Sequence, residues 1–528
     1  MLLWLVIIPI IIAVILYILP SGNHSKKFAI AVQAALTIAT AYVFLLCKEG
    51  TIVNRIGNFE GSLGIMLRAD TLASVFIMLT AVIFFIAALY SYYEDLDRLY
   101  WFLLFIWEGL LTGIFLAGDI FNIFVLVEVA TVVVSVHIML KRDKRSMYDG
   151  MLYLMINTVS IQFYLFGIGY LYKLTGVLDM TAAAQAIKEL DKSQLYLPYA
   201  LIITSISLKC ALMPLFSWLP KAHGTPGAPS SVSAILSGLH IKSGIYLFIR
   251  FQSVFREITV PEFFLIAGIV TGIAGFIFAL SQSDIKLILA YHTMSQIGMI
   301  MIGLNVDNIA SWTGAVYHTV NHALFKSALF LSAGIIVQIY GTRDINKIRG
   351  VLRRIPLMGT ATIAAALGIT GAPFFNGSIS KYFIMSGTNF AVTGAIIFIN
   401  LGTIISFIKY SSILFGPYEP EQAVVKISVL QQAAVLILGG FCLAGGIMGK
   451  QCIRFLFNVE VSVDIIEYLQ KIIYFALSVI TGLLVYKYFI RVNSFFTKIR
   501  EIELGFRGAC VSIGLFFAII LIVARLSA

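Results

Sequence analysis

The sequence predicts an all-α polytopic membrane protein with about 14 to 16 transmembrane helices. Of its 528 residues, 60% are hydrophobic and only 12% are charged, and the mean hydropathy is +0.95. Soluble domains carry about 25% charged residues, so this composition belongs in lipid. The apolar runs are mostly about 18 to 25 residues long, which suits membrane-crossing helices, whereas a β-barrel would show short alternating segments.

Sixteen spans can be placed along the chain. The first starts at the N-terminus, because that segment lacks the basic start and the small-residue cleavage site of a removable signal peptide. The spans begin near residues 1, 28, 71, 100, 120, 149, 195, 228, 261, 285, 310, 356, 390, 428, 470 and 505.

Basic residues concentrate in the loops that follow odd-numbered spans. The clearest clusters run from Lys141 to Arg145 and from Arg343 to Arg354. Cytoplasmic loops carry an excess of Lys and Arg, so these loops are expected in the cytoplasm and both termini on the outer side of the plasma membrane. The same loops account for the net charge of +11, so binding to nucleic acid is not predicted.

The cysteines and short motifs limit the chemistry that the chain can carry. None of the five cysteines forms a CxxC pair, and most lie in apolar runs, so no disulfide framework or iron–sulfur cluster is expected. The sequence shows no nucleotide loop or flavin fingerprint. No cofactor is therefore predicted.

Two spans are predicted to be broken helices with a lysine beside the break. The seventh contains Lys209 and is interrupted near Pro214, and the twelfth is interrupted at Pro373 with Lys381 beyond. Because the twelfth span comes five positions after the seventh, an odd number, spans 4 to 8 and 9 to 13 are predicted to form inverted repeats. Coincidence among hydrophobic helices is the competing explanation.

These repeats divide the chain into four parts. They are expected to be N-terminal helices over 1–99, a first repeat over 100–250, a second repeat over 251–415, and C-terminal helices over 416–528.

Charged side chains inside spans are the strongest functional signal. Each costs at least about 2.5 to 3.5 kcal/mol at the bilayer centre, so it needs a partner, a wet cavity or a task. Lysine suits a proton path, because desolvation favours its neutral form and a nearby carboxylate favours its charged form. Snorkelling side chains and ion pairs that only fix packing are the alternatives. The residues are Glu128, Lys209, Lys242, Lys326 and Lys381, with Glu128 as the expected partner of Lys209.

A histidine ladder is predicted in the eleventh span. His318, His322 and Lys326 stand at i, i+4 and i+8, which places them on one helical face. Imidazole titrates near neutrality and can pass a proton between its two nitrogens. Zinc binding or haem ligation would need further ligands, which this span does not supply.

Three further residues are possible accessory groups: His240, His292 and Lys409. In the repeat alignment His292 would match Glu128, and Lys409 would match Lys242.

The prolines near the seventh span have a mechanical interpretation. Pro214 is expected to leave the carbonyl of Cys210 without its helical donor, although a simple packing kink is the alternative. The following stretch, with Pro220, Pro226 and Pro229, is expected to be a non-helical connection.

Several motifs resemble a known family. The segments LKCALMPLFSWLPKAHGTPGAPSSVSAILSG, LHIKSG, DIKLILAYHTMSQIGM and YHTVNHALFKSALFL are similar to the antiporter-like subunits of respiratory complex I and of Mrp-type cation/proton antiporters. The resemblance is greatest to the Mrp D-type subunit and its counterparts in membrane-bound hydrogenases. It covers roughly residues 70 to 415 and implies two inverted five-helix repeats, each with a half-channel, joined by a central hydrophilic axis.

The resemblance also implies roles for individual residues. Glu128 corresponds to the family's glutamate of helix 5, Lys209 to its broken-helix lysine and Lys242 to its connecting lysine. The histidine ladder corresponds to the link with the second half, and Lys381 to the second broken-helix residue. Two features depart from the pattern: His292 stands where a small hydroxyl residue is common, and two extra spans follow residue 465.

The sequence therefore predicts a proton-translocating subunit of a multi-subunit membrane complex, with protons and possibly Na+ as the transported ions. A self-contained secondary transporter for a small solute is the main alternative, and it should show a midplane substrate pocket. A membrane anchor without ion transport is a third, but an anchor has no reason to contain these buried charges.

The loop charges lead to a test of topology. A single cysteine placed in the loop of Lys141 to Arg145, or in that of Arg343 to Arg354, is expected to resist an impermeant thiol reagent on intact cells and to react after permeabilisation. Labelling of either loop in intact cells would contradict the assignment.

Overall fold

The computed structural model describes residues 1–20, 22–57, 64–225, 227–417, 427–490, 495–500 and 502–527. Within these ranges thirteen helices are long and apolar enough to cross a membrane. Each of the sixteen predicted spans contains a helix, and the spans outside those thirteen are the first, seventh and twelfth. The seventh and twelfth are the two broken helices, and the predicted all-α polytopic fold is confirmed.

The elements follow one another in chain order. The helices are α1 (Leu2–Ile18), α2 (Asn23–Cys47), α3 (Thr71–Ser91), α4 (Arg98–Leu116), α5 (Ile120–Ile138), α6 (Lys144–Thr175), α7 (Met180–Ile187), α8 (Lys192–Lys209), α9 (Trp218–Gly224), α10 (Ser230–Ile235), α11 (Ile241–Val254), α12 (Pro261–Ser281), α13 (Ile285–Leu304), α14 (Ile309–Tyr340), α15 (Val351–Arg354), α16 (Pro356–Thr370), α17 (Asn376–Ile384), α18 (Phe390–Ser411), α19 (Val429–Ile447), α20 (Gly449–Phe457), α21 (Ile465–Val485), α22 (Phe495–Arg500) and α23 (Phe506–Leu526). The strands β1 (Ile52–Ile56) and β2 (Ile65–Ala69) pair antiparallel between α2 and α3, a hairpin that the all-α prediction does not include.

The chain forms two compact units. The first comprises Met1–Ala228, Leu239–Val260 and Leu504–Ala528, and the second comprises Pro229–Gly238 and Pro261–Glu503. The broken helix of the seventh span lies in the first unit, and that of the twelfth span, formed by α16 and α17, lies in the second. A π-helical turn, Leu236–His240, joins α10 to α11.

Side-chain caps define where many of the helices begin. A carboxylate, amide or hydroxyl oxygen just before the helix accepts a hydrogen bond from a backbone N–H of the first turn, which contributes roughly 1 kcal/mol per cap. Such residues are Asp70, Asp97, Asp119, Asp143, Asp179, Asp191, Asp284, Asn308, Asn389, Ser428 and Asp464.

The two repeats share the same start and end signals. Asp119 caps α5 and Asp284 caps α13. The helices that follow, α6 and α14, are both 32 residues long, and each ends at a left-handed glycine, Gly176 with φ +69° and Gly341 with φ +65°. Glycine adopts this conformation without steric penalty. The matching caps and lengths identify the second repeat as a copy of the first.

These caps correct the predicted alignment of the repeats. Counted from Asp119 and Asp284, the residue equivalent to Glu128 is Thr293, not His292. A one-residue shift turns a side chain by about 100° around the helix axis, so His292 points in a different direction. The hydroxyl of Thr293 lies 2.7 Å from that of Ser237, within the second unit.

Both broken helices end with the same backbone motif. Ala211 follows α8 with φ +52°, and Gly371 follows α16 with φ +76°. The next residues, Leu212 and Ala372, donate their N–H groups to carbonyls five positions back, at 3.1 and 3.0 Å. This pattern satisfies carbonyls that a helix end leaves without partners. Each helix therefore ends before its proline.

Two expectations about the prolines are wrong. Pro214 lies beyond the end of α8, so it does not remove a donor from Cys210 inside a helix. The stretch after it is partly helical, because α9 contains Pro220 in its first turn, where a backbone N–H needs no helical acceptor. Pro226 lies outside the described residues, and Pro229 immediately precedes α10.

The two extra C-terminal helices pack in different units. In the first unit α23 packs against α6 and α8, where the rings of Phe163 and Phe517 are 5.6 Å apart. In the second unit α21 packs against α18, and Gly482 faces Ile408. Most of the other side chains of α21 are exposed.

Close backbone packing between α12 and α13 depends on glycine. A Cβ atom at Gly298 would lie 2.4 Å from the backbone nitrogen of Gly272 and 2.5 Å from the carbonyl oxygen of Gly268. Small residues of this kind let membrane helices approach closely.

Gly298→Ala is therefore expected to lower thermal stability, because the added methyl forces the two helices apart at a cost of roughly 1 to 3 kcal/mol. Gly394→Ala is the matched control, since a Cβ there meets nothing within 4 Å. Thermal unfolding of the purified protein in detergent compares the two. Equal melting temperatures for Gly298→Ala and the parent protein would contradict the packing argument.

Candidate functional site

Buried polar side chains in the second unit form a hydrogen-bonded cluster centred on His318. Its Nδ1 lies 2.8 Å from Ser380 Oγ on α17, and its Nε2 lies 3.1 Å from Gln296 Oε1 on α13. The amide of Gln296 in turn donates to Thr403 Oγ1 on α18 at 3.3 Å. Both imidazole nitrogens thus have partners on different helices, an arrangement that allows one nitrogen to accept a proton while the other donates one.

Lys381 lies next to Ser380 and faces the break in its helix. Its ammonium donates to the backbone carbonyl of Ile369 at 2.6 Å and to Asn400 Oδ1 at 2.7 Å. The carbonyl belongs to the last turn of α16, which carries the negative end of the helix dipole. Lys381 therefore stabilises the broken end of α16 while remaining 2% exposed.

His322 and Lys326 continue the buried face of α14 below His318, and all three side chains are fully buried. The Lys326 ammonium donates to the carbonyl of Leu289 on α13 and lies 5.4 Å from the Phe330 ring centroid. The structure thus places the predicted ladder on one interior face. Lys326 has a backbone carbonyl as an acceptor, a partner that stays neutral when the proton leaves.

The two accessory residues of the second unit differ. His292 is fully buried against Phe407, with ring centroids 5.0 Å apart, and neither ring nitrogen has a hydrogen-bond partner among the described residues. Lys409 donates to the carbonyls of Leu280 and Gln282, at the C-terminal end of α12. The geometry thus gives Lys409 a helix-capping contact and places the His292 ring among buried groups of the second unit.

In the first unit, the direct partner of Lys209 is Thr131. The Lys209 ammonium donates to Thr131 Oγ1 on α5 at 2.8 Å. Glu128 lies one turn earlier on α5 and is half-buried, and it interacts with the lysine charge through space. No direct ion pair joins these two described residues, and Glu128 Oε2 has no hydrogen-bond partner within the described chain. Glu128 can therefore act on Lys209 only through space, and its role as the partner of Lys209 stays a prediction.

Neutral groups contact the helix break beside Lys209. The indole N–H of Trp218 donates to the carbonyl of Leu208 at 2.8 Å. The helix α11 passes close to the break at Gly244, where a Cβ would lie 2.9 Å from the backbone nitrogen of Cys210. Lys242 precedes this contact on the same helix and is fully buried.

His240 is held by two aromatic side chains of the first unit. The Trp107 indole nitrogen lies 3.4 Å from its Nδ1, and the Tyr153 hydroxyl lies 3.0 Å from its Nε2. Since an indole N–H can only donate, Nδ1 accepts, and Nε2 carries the proton of the neutral ring. His137 packs against the same indole, at 5.3 Å between ring centroids.

The structure adds site residues that the sequence analysis does not name. Thr131 and Gln296 stand at equivalent positions in α5 and α13, counted from their capping aspartates, and each contacts a titratable side chain. Tyr153 and His318 are equivalent in the same way in α6 and α14. A cap-anchored alignment of the repeats is the sequence signal that could have found them.

The arrangement suits the movement of protons between side chains. Within the described residues, no group of three or more His, Cys, Asp or Glu side chains could hold a metal ion. His318 is hydrogen-bonded to a hydroxyl group on α17 and an amide group on α13, both of which can donate and accept hydrogen bonds.

Comparisons with known proteins agree with the fold and motifs. The family described as "NADH:quinone oxidoreductase/Mrp antiporter, TM" matches residues 117–408. A relative from Alkalihalophilus pseudofirmus, the D-type subunit of a Na(+)/H(+) antiporter, is 29% identical over 465 residues, covering 83% of this chain and 94% of the relative.

Two solved structures share the fold. A chain in the structure of the Mrp complex from Dietzia sp. superposes with a TM-score of 0.79 at 21% identity, covering 92% of this chain and 99% of that one. A chain of the archaeal membrane-bound sulfane sulfur reductase superposes with a TM-score of 0.80 at 20% identity, covering 91% and 99%. The family resemblance carried by the motifs is confirmed, and this chain belongs to the NADH:quinone oxidoreductase/Mrp antiporter transmembrane family.

Proposed function

We propose that this chain is a proton-translocating, antiporter-like subunit of a multi-subunit complex in the plasma membrane. The observation that carries the proposal is the buried cluster of the second unit, in which His318 bridges Gln296 and Ser380 with both ring nitrogens. A packing role needs no titratable group at such a junction, whereas proton transfer needs a group that both accepts and donates.

Protons would be held and released at the two broken helices. At Lys209, the charge of Glu128 favours the ammonium through space while Thr131 orients it. At Lys381, the carbonyl end of α16 favours the ammonium. Movement of either partner changes how strongly its lysine holds a proton, and that change is the switch that transport requires.

The intermediate residues would pass protons within each half of the chain. Lys242 and His240 serve the first repeat, over 100–250, and His318, His322 and Lys326 serve the second, over 251–415. His292 is available as an additional carrier in the second repeat, because its ring nitrogens meet no described partner. Lys409 would stabilise the C-terminal end of α12 by donating a hydrogen bond to one of its backbone carbonyls.

The partners of the chain are proposed from its family relationship and from its exposed apolar side chains. Other membrane subunits would contact the chain, including its C-terminal helices over 416–528, whose apolar side chains are largely exposed. Lipid covers the rest of the exposed apolar surface.

The relative from Alkalihalophilus pseudofirmus is named for Na+/H+ antiport, and we propose that a complex containing this chain couples its proton path to Na+ movement. Both termini are proposed to face the outer side.

The relay in α14 can be tested by removing one imidazole. His322→Ala is expected to reduce proton flux in membrane vesicles by roughly tenfold or more per assembled complex, because it interrupts the transfer of protons between side chains. His24→Ala is the matched control, since His24 is exposed on α2. Unchanged flux in the His322 variant at normal assembly would reduce the ladder to a hydrogen-bond network.

The role of Glu128 can be tested by removing its charge and keeping its shape. Glu128→Gln is expected to lower flux and to move the pH optimum of transport to lower pH, because without the carboxylate Lys209 is protonated only in more acidic solution. Glu128→Asp keeps the charge and should retain part of the activity. Flux is measured across pH and normalised to assembled complex.

Thr131→Val provides an independent variant of the same site, because it removes the acceptor of the Lys209 ammonium without removing charge. It should reduce flux, whereas Thr131→Ser should preserve it.

An unshifted pH profile at full specific activity in Glu128→Gln would overturn the electrostatic role of Glu128.

A further inference from the structure

The helix α21 brings a second lysine to the break that contains Lys381. Lys471, in the second turn of α21, donates its ammonium to the backbone carbonyl of Ser378 on α17. Its charge also interacts with that of Lys381. The helix lies outside residues 117–408, the part of the chain that matches the family model.

A cavity connects the two lysines within the second unit. Its lining includes Gly371, Lys381, Asn400, Lys471, Tyr474 and Ser478. The break in the twelfth span, α18 and α21 thus each form part of the cavity wall. A cavity with polar groups in its wall has hydrogen-bonding partners for water, which can bridge two amines that do not touch.

Lys471 is also linked to an acidic surface at the start of α21. Glu467, one turn before Lys471, is exposed and accepts a hydrogen bond from the Tyr382 hydroxyl at 2.9 Å. The Tyr382 ring centroid lies 5.8 Å from the Lys471 ammonium. The backbone N–H of Asp464, the capping residue of α21, donates to the same hydroxyl at 3.1 Å.

A second hydrogen bond joins α17 and α21 in the same region. The hydroxyls of Tyr468 and Ser378 are 3.0 Å apart, beside the carbonyl that receives the Lys471 ammonium. The charged or titratable groups around Lys471 are Lys381, Tyr382, Asp464, Glu467, Tyr468 and Tyr474.

The charges of this region favour transfer rather than storage of a proton. Two ammonium groups beside one cavity repel each other, so a proton on Lys381 disfavours a proton on Lys471. The exposed carboxylates of Asp464 and Glu467, at the start of α21, attract a proton towards the surface. A clamp that only anchored α21 would need neither the cavity nor the carboxylates.

We propose that α21 completes the second half-channel and that Lys471 carries protons between Lys381 and the surface marked by Asp464 and Glu467. The proposal rests on the proton path proposed above. Between the two lysines one N–H bond breaks on one amine and one forms on the other through bridging water, and the positive charge moves with the proton. Between Lys471 and the surface an N–H bond breaks on the amine while an O–H bond forms on water or on a surface carboxylate. No electron transfer or co-reactant is involved.

The test uses the assembled complex in membrane vesicles. Lys471→Gln keeps a donor for the Ser378 carbonyl but cannot carry a proton, so proton flux is expected to fall by roughly tenfold per assembled complex. Lys487→Gln makes the same change at the other end of the α21 stretch, in its π-helical turn, and should leave flux unchanged. A structural clamp would instead predict unchanged flux per complex in both variants.

Chemical rescue gives a second readout after assembly. In a background lacking the native cysteines, Lys471→Cys should have low flux, and 2-aminoethyl methanethiosulfonate should restore it by rebuilding an amine of similar length. Methyl methanethiosulfonate, which adds no amine, should not restore it. Failure of the amine reagent to restore flux in labelled complexes would overturn the role of Lys471.

Lys381→Met separates this inference from the function on which it rests. If Lys381→Met abolishes flux and Lys471→Gln does not, the proton path stands and the role of Lys471 is refuted. If Lys381→Met retains full flux, the proposed proton path through the second repeat is itself refuted.

Discussion

Breaking a helix inside a membrane frees backbone carbonyls in a region without water, and each must find a donor. In the first unit the donor is neutral, the Trp218 indole on the carbonyl of Leu208. In the second it is charged, the Lys381 ammonium on the carbonyl of Ile369. In the second unit the stability of the helix end depends on the protonation of Lys381, because a neutral amine is a weaker hydrogen-bond donor than an ammonium. The local conformation of the break and the charge of Lys381 are therefore linked.

The two repeats share the positions of their helix caps but carry different side chains at equivalent interior positions. The α5 position that holds Thr131 holds Gln296 in α13, and the α6 position that holds Tyr153 holds His318 in α14. In the first unit Thr131 contacts a lysine and Tyr153 contacts a histidine, His240. In the second unit polar groups surround a histidine with two partners. The same scaffold thus holds two kinds of buried polar site, because the caps preserve register while the interior side chains differ.

The existence of the helices is largely predictable, whereas the contacts between them are not. Apolar runs and capping aspartates locate the spans, because the bilayer demands long helices and their first N–H groups demand acceptors. Glu128 and Lys209 are recognisable as buried charges, but Thr131 is the group that contacts the lysine. Motif matching without the caps misplaces His292 by one residue, since it does not define register. Pro220 resembles a helix breaker, although the first turn of α9 accommodates it.

From the sequence alone it follows that this chain crosses the membrane many times, that two of its helices are broken, and that lysines and histidines lie inside. Those conclusions depend on composition and spacing, which act locally along the chain. Tertiary packing is needed to establish which carbonyl each lysine caps, which groups His318 joins, and that α21 lies beside the second break. Lys471 is separated from Lys381 by a long stretch of chain, and no local pattern relates them. Their proximity arises from packing, because the helices must bury their polar faces against one another.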